Sequence, residues 1–173
     1  MARNVRSEAF EAFPSKPSKD FYLCSTQEID SLTGQVNPSS QRFGLFLALD
    51  ARSLDDVRIS NSARSLLERG LAYLCIWGLG CERVHDTFDG VAAETDPEGN
   101  RPVVMTTWHS DETLQEALWF FVNRAFPDAA YVSTCKQWIV ASLGHPDWEI
   151  AIRDVFASIG SQQTYEEGPR NGG

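Results

Sequence analysis

Apolar and polar positions along the chain fall into two alternating periods. Phe43 to Leu49, Leu71 to Trp77, Pro102 to Thr107 and Gln137 to Leu143 are short runs, apolar along most of their length, of the kind that fits strands covered on both faces. Each run is followed by apolar residues at helical spacing. The four sets are Ile59, Ala63, Leu66 and Leu67; Cys81, Val84, Phe88, Val91 and Ala92; Leu114, Ala117, Leu118, Phe121, Val122 and Ala125; and Trp148, Ala151, Ile152, Val155, Phe156 and Ile159. Punctuation supports the division. Gly70 ends the first helix, Pro127-Asp128 follow the third, and Pro146 stands at the first position of the last.

The third pair is the most strongly patterned. A polar turn, Trp108-His109-Ser110-Asp111, joins strand to helix, and Ser110 or Asp111 is expected to cap it. Asp111 and Glu112 would open the helix at its positive end, where an acid stabilises by about 0.3–1 kcal/mol. Four strand-then-helix units imply a parallel sheet with helices on both faces. The expected fold is a three-layer α/β sandwich on a mostly parallel four- or five-stranded sheet, with flavodoxin-like and Rossmann-like strand orders both open.

Outside the body at 43–159, residues 1–42 read as an arm and a loop. Phe10 and Phe13 are placed to dock the arm, Phe21 to Cys24 suggests a short edge strand, and Ser25 to Arg42 has the composition of a surface loop. Residues 160–173 hold too few apolar side chains to fold and are expected to be disordered.

Composition narrows the partners. The chain has 173 residues, and 24 acidic against 15 basic side chains leave a formal charge of −9. Such a field disfavours phosphate backbones and anionic membrane surfaces, so a protein or small molecule is expected rather than nucleic acid or membrane. Cys24, Cys75, Cys81 and Cys135 form no paired motif, no leader pattern opens the chain, and no apolar run approaches 18 residues. A cytoplasmic location is the corresponding expectation.

In a parallel sheet the carboxyl ends of all strands share one edge, where ligands commonly bind. This chain would place there Asp50, then Trp77, Gly78, Gly80, Cys81, Glu82, His85 and Asp86, then Trp108, His109, Ser110 and Asp111, and finally His145. All three histidines fall at or near this edge. Gly78 and Gly80 either cradle an anion or simply allow a tight turn. Cys81 and His85, four apart on one helix face, suit a reactive thiol or half a zinc site with His109 or Asp111, yet Cys81 also lies on the apolar stripe, where packing is the simpler role. His109 with Asp111 or Asp86 has the makings of an acid–base pair. The carboxylates show no spacing that fixes a metal, and no cofactor is indicated. Trp119 falls on the polar side of its helix, so either the N-terminal arm or a protein partner is expected to cover it.

The phrases CERVHDTFDG at 81–90 and VMTTWHSDETLQEALWFF at 104–121 resemble the signature blocks of a small family of bacterial α/β domains of unknown function, the likeness running from about Gly44 to Phe156. That resemblance implies no activity, substrate or cofactor. The leading expectation is a binding or regulatory module, of an accessory or immunity type, that uses the strand-end edge and its aromatic residues. The alternative is a small hydrolase or transferase built on His85, His109 and Asp111, with Cys81 or a metal.

Overall fold

A computed structural model describes residues 11–13, 16 and 18–166. In chain order the elements are β1 (Glu11–Ala12), β2 (Asp20–Thr26), α1 (Ile29–Gln35), β3 (Arg42–Ala48), α2 (Asp56–Glu68), β4 (Leu71–Trp77), α3 (Cys81–Thr95), β5 (Met105–His109), α4 (Leu114–Asn123), a 3-10 turn at Ala129–Tyr131, β6 (Cys135–Leu143) and α5 (Pro146–Glu166). The strands form one sheet in the order β1-β2-β6-β3-β4-β5. Every pairing is parallel except that of the two-residue β1 with β2.

Period-two alternation divides the core into two layers. On one face Phe43, Leu45, Leu47, Leu74, Ile76, Ile139 and Ala141 pack under α1, α2 and α3. On the other, Phe21, Phe46, Tyr73, Cys75, Trp138 and Val140 pack under α4 and α5. The central strand β3 is accordingly apolar on both sides. Gly44 within it makes room for its neighbour across the β3–β6 pair: a Cβ there would stand 2.3 Å from the Trp138 ring.

The α/β architecture agrees with the expectation, and the differences have local causes. The sheet has six strands, and the five parallel ones, taken in chain order, lie 1-5-2-3-4, which is neither the flavodoxin-like nor the Rossmann-like order. Phe21 to Cys24 belongs to a seven-residue strand lying between β1 and β6 rather than at an edge. The segment read as a loop contains α1, whose Ile29 and Leu32 are buried against the first layer. β5 begins at Met105, not Pro102, and continues through Trp108 and His109 because these pair with Ile76 and Trp77. The turn is thereby displaced, and α4 is capped by Thr113, not by Ser110 or Asp111. Thr113 and Glu116 form a reciprocal capping box. At the C-terminus α5 runs through Gly160 to Glu166, and residues 167–173 lie outside the described residues, as does Phe10 of the arm. Phe13 does dock, stacked on Phe156 at 4.2 Å.

Lys19 ties the start of β2 to the far layer. Its ammonium is buried, donates to the carbonyls of Phe121, Val122 and Ala125 at the end of α4, and lies over the rings of Trp138 and Phe126. Burial outweighs these contacts and lowers its pKa to about 8. A lysine whose folded pKa lies below its unfolded value contributes stability in full above the unfolded value, and loses it as pH falls through 8. The melting-temperature difference between wild type and Lys19→Met should therefore move in favour of wild type between pH 8 and about 10; a difference that stays flat or moves the other way contradicts the assignment.

Candidate functional site

The carboxyl ends of β2, β3 and β6 open onto a polar cleft of about 320 Å³, lined by Glu28, Asp50, Ser53, Arg58, Gly144 and His145 among others. This is where the strand order reverses. β3 is followed by a helix of the first layer and its neighbour β6 by a helix of the second, so the two connections diverge and leave a crevice between them. Arg52 engages Asp50 with its Nε and terminal nitrogen and holds the Asp50 carboxyl down at about 2. Arg58 is shared by Glu28 and Asp30 at 2.9 and 2.8 Å.

From this cleft an aromatic and histidine ledge crosses the sheet's edge. His145 stacks on Trp148 at 3.7 Å, and Trp148 meets Trp77 edge-on at 5.2 Å. The Trp77 indole N–H donates to the Glu112 carbonyl, and the Glu112 carboxylate lies 2.8 Å from His109 Nδ1. His109 is buried against Phe120, and its Nε2 has no partner among the described residues.

His85 stands apart from this ledge. Trp108 pairs with Ile76 of the first layer, whereas His109 pairs with Trp77 of the second, so consecutive residues of β5 face opposite sides. His85 packs on Trp108 at 4.4 Å, with Nδ1 3.0 Å from Asp86 and Nε2 3.0 Å from the Thr106 hydroxyl. That hydroxyl also reaches Asp89 at 2.7 Å. The proposed union of His85, His109, Asp111 and Cys81 in one pocket is not formed: the two rings lie on different faces, and Asp111 is exposed without a side-chain partner among the described residues.

Cys81 is buried on the apolar stripe of α3, with its thiol pushed up by burial. The other three thiols are likewise buried and raised, Cys24 and Cys135 to about 11. No group of histidine, cysteine and acidic side chains suited to a metal occurs among the described residues. Gly78 and Gly80 serve the turn, since both have positive φ and a Cβ on Gly78 would stand 2.1 Å from the Leu49 carbonyl. Glu82 and Ser110 are exposed at the edge. Trp119 is 55% exposed, with the Arg124 guanidinium 5.7 Å from its ring, and residues 1–10 of the arm expected to cover it lie outside the described residues.

Sequence reading missed Gln27, Glu28, Ser53 and Arg58. The first two follow directly on β2, and the polar run Ser25-Thr26-Gln27-Glu28 after Phe21 to Cys24 is the strand-end signal that marked the other four strands.

A family model for a domain of unknown function, DUF7684, matches residues 22–159, which spans β2 to α5 and takes in the cleft and the ledge. The chain belongs to the DUF7684 family. No curated protein matches it. Among the described residues no helix is long and apolar enough to cross a membrane.

Two outcomes follow from this geometry. Native protein at neutral pH should react with iodoacetamide on the order of tenfold or more slowly than unfolded protein at every cysteine, as measured by mass spectrometry, and one fast native site at Cys81 would restore the reactive-thiol reading. Trp119→Ala should shift stability by no more than about 0.5 kcal/mol in urea unfolding, as an exposed site does; a cooperative loss of structure would show that the ring is part of the core.

Proposed function

We propose that this DUF7684 domain is a binding module whose strand-end cleft takes a ligand bearing an ammonium or guanidinium group. The observation that carries the reading is electrostatic. Each of the five helices has an acidic residue in its first turn, namely Asp30, Asp56, Glu82, Glu116, and Asp147 with Glu149, and none has a basic residue in its last. The helix amino ends of a parallel sheet ordinarily attract anions. Here carboxylates occupy that field, and the arginines among them, Arg52, Arg58 and Arg83, are each already paired with an acid.

A cation entering the cleft shares Glu28 with Arg58 and Asp50 with Arg52, with the stacked His145 and Trp148 beside it. Carboxylates next to aromatic faces are the chemistry that recognises organic cations. Because Asp50 titrates at about 2, it remains an anion throughout the range of a binding assay.

The hydrolase or transferase alternative draws less support. His85 and His109 have carboxylates within hydrogen-bond reach, but neither ring lines the cleft and both are buried. General acid–base work needs a ring that a substrate can reach.

Calorimetric titration with agmatine, which carries both cationic groups, should show binding that weakens in 0.5 M salt and falls about tenfold in Glu28→Gln/Asp50→Asn, consistent with loss of two charge contacts. Preference for adenosine monophosphate or inorganic phosphate over agmatine would overturn the assignment.

A further inference from the structure

A second surface, away from the cleft, carries its own argument. β5 is the terminal strand of the sheet at the side opposite β1, and its outer backbone side has no strand beside it among the described residues. Natural edge strands are usually blunted by charge, proline, a bulge or extreme shortness. β1 is blunted by length, at two residues. β5 has five, Met105-Thr106-Thr107-Trp108-His109, with no acid, lysine, arginine, proline or glycine, and its pairing with β4 runs without a bulge. Met105 and Trp108 are 40% and 44% exposed along it, and Val103, two residues before it, is 60% exposed. Such an edge is a template for one more strand.

What surrounds the edge selects the occupant. On the α3 side of the sheet the side chains of β5 are Thr106 and Trp108. Near Thr106 opens a cavity of about 600 Å³, whose walls include the aliphatic Leu67, Ala92 and Val104 beside charged Asp89, Asp96 and Arg101. Near Trp108 stands the carboxylate of Asp86, 72% exposed and held toward the His85 ring that packs on Trp108, while Asp89, 48% exposed, accepts from the Thr106 hydroxyl at the cavity end. An added strand presents residues i and i+2 to the same side, one opposite each end of this pair. The cavity fits an apolar side chain. The indole face and the Asp86 carboxylate fit a lysine or arginine.

We infer that β5 accepts an extended segment of a protein partner by strand addition, the segment placing an apolar residue at the cavity and a basic residue two positions away against Trp108 and Asp86. Main-chain pairing supplies affinity in this mode, and the alternate side chains supply choice. A second copy of the chain is a poor occupant. Antiparallel pairing of two β5 strands about a two-fold axis normal to the sheet brings Asp86 and Asp89 of both copies to one seam, between molecules each of formal charge −9.

The test uses a seven-residue peptide, acetylated and amidated, of sequence Ser-Lys-Thr-Val-Thr-Lys-Ser. Its symmetry offers valine to the cavity and lysine to Trp108 whichever way the strand runs. Hydrogen exchange on the full chain should show protection confined to residues 105–109 when this peptide binds. Replacing both lysines by glutamate should abolish binding, and N-methylation of alternate backbone amides should do the same with the side chains unchanged. Asp86→Lys should weaken binding about two- to fivefold, the ordinary worth of an exposed ion pair. The inference is overturned if the glutamate or N-methylated peptide binds as well as the parent, if protection appears elsewhere, or if sedimentation shows that β5 is instead closed by dimerisation that Met105→Lys abolishes. Glu28→Gln/Asp50→Asn should leave peptide binding unchanged, which separates this surface from the cleft.

Discussion

The constraint on which everything else depends is a parallel sheet whose central strands are dry on both faces. β3 and β6 carry side chains into both layers and must be covered on both sides, so each strand is followed by a helix that returns over one face or the other. Covering two faces with a single chain forces the connections to split. α1, α2 and α3 take one layer, α4 and α5 the other, and the split opens the crevice between β6 and β3. The cleft is thus a consequence of burial. Its position is set by the same apolar residues that hold the domain together.

The direction of the strands sets the polarity of the edge. With all helix amino ends gathered there, five positive dipole ends converge, and this chain answers them with acids rather than leaving them open to a phosphate. The surface arginines that partner these acids are exposed pairs, a type of contact that contributes little to folding. Their effect lies in charge arrangement: each pair neutralises an arginine and an acid together, so the sign of the edge is set by the acids left over. The composition alone, −9 over 173 residues, is compatible with simple solubility. Only the placement of the acids gives it a direction.

Four of the five parallel strands and their helices were legible because long apolar runs and helical spacing are signals of burial, and burial decides this fold. Of β2 only the run Phe21 to Cys24 was read, as a short edge strand, and α1 was not read at all, since Gly34, Pro38 and the serines around them give 25–42 the composition of a loop. Tertiary cover from Ile29 and Leu32 overrode that local preference. The cleft was read in part. Asp50 and His145 were visible as strand-end residues, while Glu28 and Arg58 depend on the missed helix and on a side chain that reaches across from α2. Strand order lies outside what periodicity can tell, and it alone decides which strand ends become neighbours.

The same limit explains the histidines. Gathering residues by strand end counts His85 and His109 as companions, because α3 starts and β5 stops at one edge. Extending β5 by two residues changes the outcome: Trp108 and His109 become strand positions rather than turn positions, and successive strand positions point to opposite faces. Trp108 therefore carries His85 with it to the first layer, while His109 turns inward to Glu112 and Phe120 in the second. Pairing with β4 is what extends the strand, since Ile76 and Trp77 offer it a continuing ladder. An acid–base site spanning both rings would need the sheet to be absent between them. A binding surface needs no such union, and the separation leaves Trp108, with its acidic neighbours, facing outward at the one long unpaired strand edge of the described residues.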